Sequence, residues 1–174
     1  MLIRNNDICI RNVESADCQQ LADWWNDGSV MAHAGFPNGL GTSADIIREQ
    51  LSTDTDDTRR RLVIEYQDKL IGEMSYTNIG NNTAEMGIKI CDPEYQNRGL
   101  GKIILSSLIK ELFSRGYEKI VLDTNLKNLR AQHVYETIGF QKIRVNIDAW
   151  IDQVGVPQSF IDYELTPETF NDFS

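Results

Sequence analysis

Apolar residues alternate with polar ones through Ile8 and Ile10, with Val13 beyond them, so residues 7–13 are expected to form the first strand. Ser15, ahead of Ala16, Asp17 and Cys18, reads as the N-cap of a helix. Its apolar positions are Leu21, Trp24 and Trp25, and it ends at Asn26-Asp27-Gly28. Residues 28–42 contain four glycines and a proline and are expected to form a long loop, of the kind that lines a pocket. Ser43 caps a second helix to about Leu51. The runs Leu62–Tyr66 and Leu70–Tyr76, separated by Gln67-Asp68-Lys69, predict a hairpin, and Thr83–Cys91 a third strand of that meander.

Beyond Asp92-Pro93 the period changes. Leu100, Ile103, Ile104, Leu108, Ile109 and Leu112 recur at helical spacing, with Gly116 as C-terminal cap, and predict a helix over 99–115. A short strand at Lys119–Asp123, a helix at Leu129–Ile138 stopped by Gly139, and strands at 140–147 and 159–165 follow. Strand, helix and strand in succession imply a βαβ crossover, and the preceding meander implies a mixed sheet.

Composition narrows the function classes. The 174 residues suffice for a single domain with its own core, about 70% of the unfolded surface being buried at this size. No apolar run approaches the roughly 18 residues of a membrane span, and the start lacks the basic-then-apolar order of a signal peptide, so a cytoplasmic location is expected. The formal net charge of −9 opposes nucleic acid and anionic membranes as partners and leans toward a cationic substrate. Three scattered cysteines without a C-x-x-C pair, and only two histidines, argue against structural zinc and a disulfide framework.

The chemistry concentrates in Asp92–Lys102. Gly99 and Gly101 stand at a helix N-terminus, where free amides and the positive dipole end favour an anion, and Arg98 and Lys102 add charge. The segment is neither a Walker loop nor a dinucleotide fingerprint: the first lacks its leading glycine, the second its third, where Ile104 stands. One strand later comes Asn128-x-x-Ala131-x-x-x-Tyr135-x-x-x-Gly139-Phe140, with Ala131 and Tyr135 on one helical face.

Together these motifs resemble the GNAT acetyltransferase superfamily: Gln96-Asn-Arg-Gly99-Leu-Gly101 is similar to its Q/R-x-x-G-x-G/A acetyl-CoA motif, and Asn128 to Phe140 to its second cofactor motif. The similarity runs from about residue 7 to 165. Ile10-Arg11, the helix with Asp17, Trp24, Trp25 and Asp27, and Asp162–Leu165 resemble the branch of ribosomal-protein N-terminal, spermidine and aminoglycoside acetyltransferases. The resemblance implies a GNAT-type acyl-CoA N-acyltransferase fold, an α/β domain with a mixed, mostly antiparallel twisted sheet flanked by helices. It also implies acetyl-CoA as co-substrate and a primary amine as acceptor, either a small cationic amine or a protein N-terminus. A catalytically silent acetyl-CoA sensor or interaction module is the alternative, and a homodimer through exposed sheet edges is open.

The same resemblance assigns residues. The pantetheine arm would pair with the backbone of Ile88, Lys89, Ile90 and Cys91. Asn97, Arg98, Gly99, Leu100, Gly101 and Lys102 would cradle the pyrophosphate, with Gln96 at the entrance. Asn128 either binds the pantetheine or serves as a helix N-cap. Tyr135 resembles the family's general acid, protonated at neutral pH. Asp123 is the first candidate base, with Glu85 and Glu73 on the meander beside it; His33 and His133 are read as surface or core histidines. Trp24, Trp25, Met31 and Phe36 are candidates for the acceptor side, and adjacent tryptophans on a helix cannot both face the core. Cys91, without a histidine motif, is not expected to act as a nucleophile.

Overall fold

The computed structural model describes residues 1–174. Its first strand is one the alternation did not predict: β1 (Leu2–Asn5) turns through Asn6, at φ +51°, into β2 (Ile8–Asn12). Four residues are too few to show a period, so β1 is visible only through its pairing. Asp17 accepts from the Glu14 amide at 2.7 Å, so the turn into α1 (Cys18–Asn26) is closed by Glu14 and Asp17 rather than capped by Ser15.

The segment expected to be a long loop contains a short helix, α2 (Gly28–Met31), because Asp27 caps it by accepting from the Ser29 amide at 2.7 Å. A 3₁₀ turn at Ala32–Ala34 follows. Ser43 caps α3 (Ala44–Leu51) as expected. The meander is β3 (Arg59–Tyr66), β4 (Lys69–Asn78) and β5 (Thr83–Ile90). Gln67 and Asp68, both at positive φ, make the two-residue turn whose twist suits a hairpin. Next come α4 (Leu100–Ser114), β6 (Lys119–Asn125), α5 (Leu129–Ile138), β7 (Gln141–Ile151) and β8 (Pro157–Leu165).

The eight strands form one sheet in the order β1-β2-β3-β4-β5-β6-β8-β7. Every pair is antiparallel except β5 and β6, which α4 connects as the expected βαβ crossover. That parallel pair is also the shortest: only Thr83–Glu85 pair with Lys119–Val121, and the ladder then ends. From Met86 and Leu122 onward the two strands form an open fork in the middle of the sheet.

Even-numbered positions of β3 to β6, among them Leu62, Met74, Met86 and Leu122, meet Ile104, Leu108 and Leu112 of α4 in a main core cluster of 22 buried residues. On the other face Cys18, Leu21 and Ala22 of α1 and Ile47 of α3 close over Val63. Because α1 and α3 cover only part of that second face, Glu73, Ser75 and Thr77 of β4 and the odd-numbered residues of β5 and β6 stay accessible there. Arg11 ties β2 to the α1 entry, holding Asp17 at 2.7 and 2.9 Å and Glu65 at 2.9 Å. The total accessible surface of 9000 Å² is close to the roughly 8,600 Å² that size scaling gives for this mass.

The β7–β8 hairpin folds back over the partly covered face. The Gln153 amide donates to Gly35 at 3.0 Å, and its side chain donates to the Gly39 carbonyl and accepts from the Asn38 amide, both at 2.9 Å. Gly35 is required there: a Cβ would lie 2.1 Å from the Trp150 ring. Residues 28–42 are thereby pinned over the sheet.

Candidate active site

Along β5 the side chains alternate between the α4 core and the open face, which fixes what each can do. Ile88 and Ile90 pack against the main core, and Lys89 points the other way, 3.2 Å from Glu73. Pairing with β6 having ended, the β6-side edge of residues 86–90 has no strand partner. Gln96 takes the Ile90 carbonyl at 2.8 Å. Cys91 lies one residue past the strand and its amide donates to Ile71, so its backbone is committed to β4. The Cys91 thiol is buried, and burial followed by the Glu73 charge pushes its pKa well above the ordinary thiol value, against nucleophilic use.

At the open end of the fork the chain turns through Asn97 and Gly99, at φ +60° and +78°, into α4. No side chain caps this helix. A Cβ added at Gly99 or Gly101 would meet nothing within 4 Å, so the space beside the first turn of α4 is open. Bare amides at the positive end of a 15-residue helix suit a phosphate or pyrophosphate. Arg130 of α5 reaches Gln96 and Asn97 at 3.3 and 3.2 Å and braces the turn. Leu100 packs into the core, the Arg98 guanidinium lies over the Tyr95 ring at 5.1 Å, and the Lys102 ammonium over Phe173 at 4.9 Å. Asn128 caps α5, accepting from the Ala131 amide at 3.2 Å.

Tyr135 projects from α5 toward β6 and β8. Its ring is 7% exposed and packs on Phe140 and Tyr163, each with ring centres 5.8 Å away. No buried side-chain oxygen or nitrogen of the chain lacks a partner, and the Tyr135 hydroxyl bonds to no protein group, so it reaches solvent. Burial, and then the Asp123 charge, push its pKa up to about 12. It is therefore a proton donor throughout the neutral range.

Asp123 and Glu85 project from β6 and β5 on the open face, where with Arg144, Asp162 and Tyr163 they line a cavity of about 280 Å³. Burial first, then the Glu85 and Asp162 charges, raise the Asp123 pKa above the usual carboxylate value. Asp162 is answered by Arg144 at 3.1 Å and by Asn146 at 3.0 Å, whereas Asp123 and Glu85 have no cationic partner. Two unpaired carboxylates on one face suit an ammonium group.

A second cavity of about 300 Å³ lies on the same face, lined by Trp25, Met31, Arg59, Arg61, Glu73 and Lys89 among others. Trp25 donates its indole N–H to Glu73 at 2.8 Å, and Met31 Sδ lies 3.2 Å from the Lys89 ammonium. Both Trp24 and Trp25 pack in part against the small α1–α3 cluster, contrary to the expectation that only one could, and of the two only Trp25 lines the cavity. Phe36, expected on the acceptor side, is exposed and outside the cavity, because the 3₁₀ turn ending at Gly35 carries it past the rim. His33 and His133 are both exposed. The sequence reading missed Arg59, Arg61 and Leu40 of the lining, and Arg130. The run Arg59-Arg60-Arg61 ahead of an alternating strand was the available clue, since alternation puts Arg59 and Arg61 on one face.

A family model described as the acetyltransferase (GNAT) family matches residues 19–140. The ribosomal protein bS18-alanine N-acetyltransferases of Salmonella typhimurium and Escherichia coli are each 39% identical to this chain over 54 residues, 31% of the chain. The match spans 36% of the length of those relatives. Among solved structures, a spermidine N-acetyltransferase from Vibrio cholerae in complex with CoA and spermine superposes with a TM-score of 0.84 at 23% identity, covering 95% of this chain and 98% of the other. A putative acetyltransferase, YncA, of Salmonella typhimurium with acetyl-CoA gives 0.76 at 21% identity, covering 92% and 94%.

Proposed function

The chain belongs to the acetyltransferase (GNAT) family, and from that premise we propose that it transfers an acetyl group from acetyl-CoA directly to a primary amine. The observation that carries this reading is the fork between β5 and β6, with uncapped amides at its mouth and Tyr135, Asp123 and Glu85 around it. The named relatives act on a protein N-terminus and on spermidine, and the acceptor here is a small cationic amine or a protein N-terminus.

The co-substrate supplies an activated acetyl thioester. Its pyrophosphate fits the amides of Leu100, Gly101 and Lys102, where the two glycines leave room, and its pantetheine arm fits the free edge of β5. Asp123, made more basic by burial and then by the Glu85 and Asp162 charges, takes a proton from the acceptor ammonium. The neutral nitrogen then attacks the carbonyl carbon, forming the C–N bond as the C–S bond breaks, while a β5 amide steadies the oxygen. Tyr135 gives its hydroxyl proton to the departing thiolate, and the second proton shed by the acylated nitrogen returns to Tyr135 through solvent.

A silent sensor would leave the Tyr135 hydroxyl and the unpaired carboxylates without a task. Three free, buried cysteines suit a reducing cytoplasm as the place of action. The exposed edge strand β7, with Ile143, Val145 and Ile147, suits a homodimer. Thiol release from acetyl-CoA across polyamines, aminoglycosides, amino acids and short peptides, with calorimetric acetyl-CoA binding, tests the function. Turnover of one amine class is expected, and absence of acetyl-CoA binding overturns the reading.

A further inference from the structure

The two cavities of the open face carry opposite charge. Glu85, Asp123, Asp162 and Glu164 outnumber Arg144 in one, and Arg59, Arg61 and Lys89 outnumber Glu73 in the other, within a chain of net charge −9. Of the three cations, Arg61 is held by Asp54 at 2.6 Å and Lys89 by Glu73 at 3.2 Å, while Arg59 forms no ion pair. The sheet register sets them in rows. Arg59, Thr77 and Glu85 are cross-strand partners, and so are Arg61, Ser75 and Gly87. Arg61 and Gly87 are thus two strand spacings apart, about 10 Å. The floor between them is open, since a Cβ at Gly87 would meet only Ser75 Oγ, at 3.7 Å.

We propose that the acceptor carries a carboxylate close to its amine, as a free amino acid does, and that Arg59, supported by Arg61, binds that carboxylate while the amine lies over Gly87 toward Asp123. The proposal rests on the acetyl-transfer reading and puts a zwitterionic primary amine in place of its cationic or N-terminal acceptor. Guanidinium forks match carboxylates in two-point geometry, and Arg59 is the one cation of this cavity with no internal partner to surrender. A polyamine lying across the same floor would bring its second ammonium against the unpaired Arg59 guanidinium, whereas a zwitterion meets a complementary charge at each end.

The test compares free amino acids with their C-terminal amides, which keep the amine and lose the negative charge, and includes spermidine. Rates at saturating acetyl-CoA are measured for the wild type, Arg59→Gln and Arg59→Lys. The acid is expected to exceed its amide in kcat/KM by about tenfold or more, the size of one charge-assisted hydrogen bond. Arg59→Gln is expected to bring that ratio near one, and Arg59→Lys to restore part of it. Equal use of acid and amide, preference for spermidine, or a ratio indifferent to Arg59→Gln overturns the proposal. Calorimetric titration of the acid and the amide into CoA-loaded protein reads the same selectivity without turnover. If no amine is acetylated, the transfer reading fails while the binding ratio still decides the subsite.

Discussion

Tyr135→Phe removes one oxygen and nothing else from the site. The ring stays packed against Phe140 and Tyr163, and the hydroxyl donates to no protein group, so no hydrogen bond is lost within the fold. The stability change should stay below the roughly 0.5–1.5 kcal/mol of a typical hydrogen bond. Catalysis is another matter. A positioned general acid contributes about 10²- to 10⁴-fold, or roughly 2.7 to 5.4 kcal/mol of barrier. With a pKa pushed up to about 12, Tyr135 stays protonated across the neutral range, so its removal should lower kcat uniformly there and leave acetyl-CoA affinity intact. Thiol-release rates, calorimetric acetyl-CoA binding and thermal unfolding on one preparation measure all three quantities. Full kcat in a folded Tyr135→Phe protein would refute the assignment and move the proton donor elsewhere.

Asp123 has a raised pKa, so the folded state binds its proton more tightly than the unfolded one, and stability falls as pH rises from the ordinary carboxylate value through the raised one. Asp123→Asn should lower kcat yet melt at an equal or higher temperature at neutral pH, the gap closing in acid; a lower melting temperature at pH 7 would count against this account. Gly101→Asp sets a carboxylate beside the uncapped amides and should weaken acetyl-CoA binding at least tenfold by calorimetry without unfolding the protein. Arg11→Met strands the buried Asp17 carboxylate and should cost about 3–5 kcal/mol in denaturant unfolding. Burial opposes the Asp17 charge, but Arg11 and the Glu14 amide outweigh it and hold its pKa low, so the wild type should lose this contribution as pH falls through that lowered value.

The parts of the fold visible in the sequence are those fixed by local periodicity. The α4 stripe from Leu100 to Leu112 and the α5 segment between Asn128 and Gly139 need no partner to be recognised, and both appear within a residue of expectation. β1 was invisible because a four-residue strand is defined by its pairing with β2. α2 hid among glycines because one Asp27 cap outweighed the loop-like composition. In the site, main-chain features such as the glycine turn left a motif, whereas the cationic cavity left only the run Arg59-Arg60-Arg61. The cavity is assembled from β3, β4, β5, α1 and residues 28–42, and only the register brings Arg61 level with Gly87. Phe36 lies outside the cavity lining for the same reason: a hydrophobic residue in a functional-looking loop does not reveal which way a 3₁₀ turn will carry it.

One sheet thus serves two incompatible demands by dividing them between its faces. The α4 face is filled by aliphatic side chains, and its helix contributes a dry backing together with one exposed set of amides. The other face is covered by α1 and α3 only at the β2–β3 end, so the polar residues of β4 to β6 keep solvent and can be spent on a ligand. The short β5–β6 ladder joins the two: where pairing stops, the β5 edge between Glu85 and the turn into α4 is left without a strand partner. Extending that ladder would add hydrogen bonds and close that edge. The truncated pairing is therefore a stability loss at the one place where the proposed transfer needs the sheet to be open, and the Arg11 network and the main core offset it elsewhere.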